Sequence, residues 1–229
     1  MKYSCENRPQ NFTHINSETL KLPAKYTYYW HVVNFSEDID KYKIIHAFNL
    51  VFQKYQRVFD QVEPKGPFLS IDSTDDISKA DVIISFGSFS HKMTMQNGKT
   101  KLCPYPFDGK QGVLAHAFSI NEDHPWGGQL HLDDSENWAD MHSSTHTDLL
   151  SVFLHEMGHI FDIGHSKSKG AVMYPTYEGS NRDLQNDDLM GINEKIRPIK
   201  QMIYNRYHSG IPYIKPRKTW WQRLLSIFS

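Results

Sequence analysis

The pentapeptide His155-Glu156-Met157-Gly158-His159 constrains this chain more than any other part of its sequence. On an α-helix, residues i and i+4 lie on one face, so both imidazoles can reach one metal ion. Glu156 stands beside them, where it can take a proton from a metal-bound water. A third histidine, His165, follows six residues after His159 and would complete a three-ligand zinc site with one open position. The pattern therefore predicts a catalytic zinc centre.

The alternative interpretation is a helix with two incidental histidines, because five-residue motifs of this type also arise by chance. The spacing of His165 and the downstream segment Ala171-Val172-Met173-Tyr174-Pro175-Thr176-Tyr177 argue against coincidence. The chain must turn between His159 and His165, and both Asp162 and Gly164 tolerate the left-handed backbone that such a turn can need.

Residue patterning along the rest of the chain predicts an α+β domain. Strands are expected at residues 26–34, 68–72, 81–86 and 113–119, a hairpin turn at Asn97-Gly98, and helices at residues 40–58, 145–161 and 183–195. Strands and one helix come first, and a helix that carries the ligands follows, which is typical of this class.

These ordered motifs resemble the matrixins, the matrix metalloproteinase branch of the metzincins. The similarity runs from about Tyr26 to Ile196 and includes residues 81–86, 106–109, 114–118, 131–133, 155–165, 171–177 and 187–192. The resemblance implies a twisted mixed β-sheet with three α-helices, in which a Met-turn with Met173 beneath the zinc follows the active-site helix. The family has glycine where this chain has Asp162. We divide the chain into an N-terminal extension (1–25), a matrixin-like zinc peptidase domain (26–197) and a basic, aromatic C-terminal tail (198–229).

The resemblance also implies a structural zinc, bound in the family by three histidines and one aspartate. His91, His116 and His131 match the histidines, but an insertion of about ten residues replaces the aspartate expected just after His91. Cys103 stands thirteen residues before His116, and a thiolate is a good zinc ligand. We therefore expect His91, Cys103, His116 and His131 to bind a second zinc. The alternative is a half-buried loop thiol beside a weak or empty site.

A calcium site is the third metal centre that the resemblance implies. Asp108, Asp133 and Glu136 match the family's calcium-binding carboxylates, and the carbonyl of Gly109 lies in the same loop. Calcium prefers such oxygen ligands. The alternative is that these are ordinary solvated acids.

The family also indicates how a substrate would lie. An extended peptide would pair with the edge strand around Leu114 and Ala115, and Pro175 and Tyr177 would line the pocket just after the scissile bond. Ser151 matches the position that sets the depth of that pocket. A small side chain there leaves room for a long apolar substrate residue, unless Ser151 is simply an exposed helix residue.

The resemblance therefore implies a hydrolase: a zinc-dependent metalloendopeptidase that cleaves internal peptide bonds of extended proteins, such as those of the extracellular matrix, through a zinc-bound water activated by Glu156. The alternative is a catalytically impaired relative that binds proteins or peptides in the same cleft. Retention of the three zinc histidines and Glu156 argues against it. We expect a monomer without a nucleic-acid partner.

The two ends of the chain carry separate expectations. Eight of the 25 basic residues and none of the 26 acidic residues lie from Lys195 onwards, where Trp220, Trp221 and Phe228 lie on one apolar helical stripe. This pattern favours either contact with an anionic membrane surface or docking on the domain. The first twelve residues lack the apolar segment of a secretory signal, so localisation stays open, with cytoplasmic synthesis and non-classical release as one option. Cys5 could cap the zinc, although the glycine of the family's switch motif does not follow it.

Overall fold

The computed structural model describes residues 3–4, 27–64, 69–120, 126–141, 143 and 145–209. Its helices are α1 (Lys41–Gln61), α2 (Leu149–Ile160) and α3 (Asn186–His208). Its strands are β1 (Tyr3–Ser4), β2 (Thr27–Val32), β3 (Ser70–Ser73), β4 (Val82–Gly87), β5 (Lys92–Thr94), β6 (Thr100–Leu102), β7 (Ala115–Ala117), β8 (Gln129–Asp133), β9 (Trp138–Ala139), β10 (Thr147–Asp148) and β11 (Thr176–Tyr177).

The centre of the fold is a five-stranded sheet with the order β3-β2-β4-β8-β7. Neighbouring strands are parallel except at the edge, where β7 runs antiparallel to β8. β4 is buried along most of its length, as expected for a central parallel strand covered on both faces. The mixed sheet and three helices confirm the predicted α+β metzincin-like fold.

Aromatic side chains join the helices to the sheet. The rings of Phe48 on α1 and Phe153 on α2 stack with centroids 4.0 Å apart, and Trp30 of β2 stacks on Phe52 at 4.7 Å. Helix α1 is capped at its start by Asp40, whose carboxylate accepts a hydrogen bond from the backbone N–H of Tyr42.

Helix α3 is longer than its predicted span of 183–195. It continues through Pro198 to His208, because Ile196, Ile199 and Ile203 are buried in the same core as α1. The sequence-based boundary between residues 197 and 198 therefore lies inside this helix.

The remainder of the predicted tail, residues 210–229, lies outside the described residues, as does Cys5. None of the helices in the described ranges combines the length and the apolar character needed to cross a bilayer.

Candidate metal centres and substrate cleft

Three histidines converge at the end of α2. Nε2 of His159 lies 3.1 Å from Nε2 of His155 and 3.1 Å from Nε2 of His165. Backbone carbonyls fix the other ring nitrogens, since Nδ1 of His155 is 2.6 Å from Val172 O and Nδ1 of His159 is 2.8 Å from Ile163 O. Zn–N bonds of about 2.0–2.1 Å in a tetrahedral site place ligand nitrogens about 3.3 Å apart. The donor set therefore fits zinc.

A left-handed residue brings His165 back to this point. α2 ends after Ile160, and Asp162 then adopts φ 64°, so the N–H of Ile163 reaches the carbonyl of Gly158 at 2.9 Å. Asp162 thus takes the backbone conformation that its place in the sequence requires, whereas Gly164 does not have a positive φ. The carboxylate of Asp162 also lies 3.0 Å from Nζ of Lys195 on α3.

Burial controls the electrostatics of this centre. It lowers the pKa of His155 to about 4, and partial desolvation lowers the pKa of His165, the most exposed of the three histidines. Both imidazoles are therefore neutral at neutral pH, which is the form that binds metals. Glu156 is fully buried on the same helix.

The segment after the third histidine passes directly beneath α2. Met173 is buried against Gly158, where an added Cβ would lie 2.2 Å from the Met173 sulfur. Asp188, in the first turn of α3, holds this segment by accepting hydrogen bonds from the N–H groups of Val172 and Met173, both at 2.9 Å. Sequence reasoning gave Asp188 no role. The predicted helix began at residue 183, which put Asp188 beyond its first turn, whereas an acidic residue in the first turn would have been a signal.

A second cluster contains His91, Cys103, His116 and His131, all buried, with one donor atom from each within 4.8 Å of the others. Nδ1 of His131 lies 3.0 Å from Nε2 of His91 and 2.9 Å from Nε2 of His116. The Cys103 sulfur is 3.4 Å from Nε2 of His116. Four buried donors leave no open position, which is the arrangement of a structural zinc site.

The β5–β6 hairpin explains the insertion between His91 and Cys103. Its turn contains Asn97 and Gly98, where Gly98 has φ 74°, as the predicted turn requires. The N–H of Cys103 donates to the carbonyl of His91 at 2.9 Å, so the hairpin returns the chain to its starting point. An inserted loop of this length can therefore still supply adjacent ligands.

The predicted calcium ligands Asp108, Asp133 and Glu136 form an acidic cluster. Their carboxylates lie less close together than the donor atoms of either histidine cluster. Asp133 and Glu136 are buried, and Oδ2 of Asp133 has no hydrogen-bond partner within the described part of the chain. Burial, together with nearby Asp108, raises the pKa of Asp133 and of Glu136. Gly109 has φ 89°, and a Cβ on Gly112 would lie 2.2 Å from the Asp108 carboxylate, so the loop wraps closely around that side chain.

A cavity of about 400 Å³ opens beside His155. The predicted residues Leu114, Ser151 and Tyr177 line it, whereas Ala115 and Pro175 are not among the described residues that do. Residues 178–181 also line it, and we call this segment the far end of the cavity. Ser151 is buried rather than exposed.

Two strands adjoin residues that line this cavity, since β7 directly follows Leu114 and β1 pairs with β11. Ala115 lies in β7, at the edge of the main sheet. β1 pairs antiparallel with β11, with Tyr3 opposite Tyr177, so part of the N-terminal backbone runs along the wall that the sequence assigned to substrate.

Comparison with known proteins gives one consistent result. The matrixin family model matches residues 22–195. Metalloendoproteinase 4-MMP of Arabidopsis thaliana is 35% identical over 180 residues, covering 76% of this chain and 46% of the relative. Metalloendoproteinase 1-MMP of the same plant is 34% identical over 192 residues, covering 78% of this chain and 48% of the relative. Karilysin of Tannerella forsythia is 44% identical over 94 residues, covering 38% of this chain and 18% of the relative. The chain thus spans about half the length of the two plant relatives.

Proposed function

Because this chain belongs to the matrixin family of zinc metalloendopeptidases, we propose that it hydrolyses internal peptide bonds of proteins that bind in extended form. One observation carries the proposal: three imidazole nitrogens converge around the helix that carries buried Glu156, and one of these histidines, His155, lines a cavity large enough for a side chain. A catalytically impaired binding protein is the alternative that the experiment below tests.

His155, His159 and His165 would hold the catalytic zinc. When bound, zinc would polarise the scissile carbonyl and acidify the attacking water. Glu156 would accept the proton of that water and deliver it to the leaving nitrogen. Burial keeps this carboxylate in a region of low dielectric, where its interaction with a nearby positive charge is strong.

The edge of the sheet would orient the substrate. An extended peptide can add to β7 as a further strand, which supplies affinity through main-chain hydrogen bonds. Leu114, Ala115, Pro175 and Tyr177 would then flank the peptide, and its residue just after the scissile bond would enter the cavity beside His155. The apolar side chains of Leu114 and Val152 favour an apolar residue there.

Two further metal sites would support this domain. His91, Cys103, His116 and His131 would bind a second zinc without a catalytic role, because the site is closed. Asp108, Asp133 and Glu136, with the carbonyl of Gly109, would bind calcium, which offsets the repulsion between buried carboxylates. Cys5 as a zinc cap and residues 210–229 of the tail as a membrane contact stay predictions about residues outside the described ranges.

Cleavage of a quenched fluorescent peptide with leucine after the scissile bond tests the proposal. We expect turnover by the zinc-loaded wild-type protein, its loss on chelation and its return with added zinc. Glu156→Ala should abolish turnover while retaining zinc, since it changes the base and none of the ligands. Equal signal from both proteins would indicate contamination. No turnover by folded, zinc-loaded wild-type protein would favour the binding-protein alternative, unless Cys5→Ser restores activity.

A further inference from the structure

Asp148, the residue before α2, connects three sides of the cavity described above. Its carboxylate accepts hydrogen bonds from Ser151 Oγ at 2.6 Å and from Arg182 Nε and Nη2, both at 2.8 Å. Its backbone N–H donates to the Tyr177 hydroxyl at 3.0 Å. Ser151, Tyr177 and Arg182, which follows the far end of the cavity, therefore all contact one fully buried residue.

The segment at the far end is held from more than one direction. The N–H of Asn181 donates to Ser151 Oγ at 3.0 Å, and its side chain donates to the carbonyl of Gly170 at 2.7 Å. Arg182 also donates from Nη2 to the carbonyl of Asp140. Asp140 is in turn paired with Lys43 on α1 at 3.0 Å. Arg182 thus links residues 178–182 to the body of the domain.

These contacts change the role of Ser151. Its hydroxyl donates a hydrogen bond to Asp148 and accepts one from the backbone N–H of Asn181. Ser151 therefore shapes the cavity through these hydrogen bonds as well as through its small size. A bidentate arginine–carboxylate pair is a strong and geometrically specific interaction, and removing Arg182 would leave the charge of fully buried Asp148 unpaired. The Asp148–Arg182 pair is therefore the strongest interaction described at the far end.

We propose that Arg182, through its ion pair with Asp148, is a specificity-determining positioning residue. It fixes residues 178–181, which line the cavity, so that the protein selects substrates with a long aliphatic residue directly after the scissile bond. The inference rests on the proposed peptidase function. A long side chain would gain contacts with the fixed wall, whereas alanine would be too short to reach it.

The test compares two peptides that differ only in leucine or alanine after the scissile bond. Arg182→Gln should lower kcat/KM for the leucine peptide about tenfold, mainly through KM. The leucine side chain would lose apolar contacts with residues 178–181, and even one buried methylene changes kcat/KM by about that factor. The alanine peptide should be cleaved at an unchanged rate. Arg182→Lys should recover part of the selectivity, since it keeps the charge but lacks the bidentate geometry. Arg57→Gln, on the exposed face of α1, is the matched control.

A double-mutant cycle separates the ion pair from a general loss of structure. Asp148→Asn should reduce selectivity as Arg182→Gln does, and the double variant should lose no more than either single variant. An equal loss for both peptides, or none, would overturn the proposal.

The cavity can also be tested without turnover. The affinity of the Glu156→Ala protein for the two intact peptides should show the same leucine preference, and that preference should fall when Arg182→Gln is added. If wild-type protein cleaves neither peptide, the proposed function fails while this measurement still decides the role of Arg182. Equal affinities for the two peptides before the second substitution would contradict the inference.

Discussion

The carboxylate of Asp162, a residue with left-handed backbone, lies 3.0 Å from Nζ of Lys195, and both side chains are largely buried. An aspartate at positive φ is strained by about 1 kcal/mol relative to glycine, and the ion pair offsets that strain. Lys195→Met should therefore lower the free energy of unfolding by about 1 to 2 kcal/mol, because it leaves a poorly solvated carboxylate unpaired.

Asp162→Gly removes the strain and the ion pair together, so it should change the free energy of unfolding by less than about 1 kcal/mol. Urea denaturation of the zinc-loaded proteins measures both variants. Lys167→Met, at an exposed position, is the control. If Asp162→Gly lowered the free energy of unfolding as much as Lys195→Met, relief of backbone strain would not contribute to the stability of the glycine variant.

Asp188 should affect zinc binding although it is not a ligand. It accepts the N–H of Val172, whose carbonyl in turn fixes the ring of His155. Loss of such an outer contact typically costs metal affinity by about ten- to a hundredfold. We expect Asp188→Asn to weaken zinc binding by about tenfold in a competition titration with a chromogenic chelator, whereas exposed Glu194→Gln should leave it unchanged. Equal affinity in both variants would mean that the carbonyl of Val172 needs no support.

Cys103 should give the second metal centre a spectroscopic signature. If its thiolate is a ligand, the cobalt-substituted protein should show a near-ultraviolet sulfur-to-cobalt charge-transfer band, and Cys103→Ser should lack it. The zinc content of wild-type protein should be two equivalents, and that of Cys103→Ala should fall toward one. Cys103→Asp, which restores the family's ligand type, should bind two equivalents without the band. A band that persists in Cys103→Ser would assign it to another thiol.

The sequence predicted the fold and the ligands of the catalytic centre better than it predicted the contacts within the cleft. His155, Glu156 and His159 were predictable because helical spacing fixes their relative positions. The hairpin before Cys103 was also predictable, since Asn-Gly specifies a tight turn. The pair formed by Asp148 and Arg182 was not, because it joins residues 34 positions apart. Contacts of that kind depend on how a loop folds back, and local patterns do not encode it.

The end of α3 illustrates a different limit. The predicted helix stops at residue 195, and Pro198, which lacks a backbone N–H, is a local signal for a helix end just beyond it. The helix nevertheless continues, because burial of Ile199 and Ile203 against the core outweighs one lost hydrogen bond. Tertiary packing overrode the local signal at this position.

Calcium should stabilise the domain through the acidic cluster. Raising free calcium from chelator-buffered to millimolar levels should increase the melting temperature of the zinc-loaded protein, because a ligand that binds only the folded state stabilises it. Asp133→Asn should abolish most of that increase. Asp75→Asn, at an exposed acid outside the cluster, should retain it. A calcium response that survives Asp133→Asn would place the ion elsewhere.

Lys200 should stabilise the fold through hydrogen bonds to carbonyls at the C-terminal end of α1. Its side chain is fully buried, and Nζ donates to the carbonyls of Phe59 and Val62, at 2.6 and 2.5 Å, where α1 ends. A cation there satisfies terminal carbonyls and interacts favourably with the helix dipole.

Lys200→Met keeps most of the apolar volume of this side chain but leaves both carbonyls without their donor. Burial lowers the pKa of Lys200, so removing the charge also recovers part of a desolvation cost. The net loss in the free energy of unfolding should therefore be about 2 kcal/mol, measured by urea denaturation. Arg197→Met, an exposed substitution on the same helix, should change it by less than about 0.5 kcal/mol. Unchanged stability in Lys200→Met would mean that the desolvation cost of the buried ammonium cancels its two hydrogen bonds.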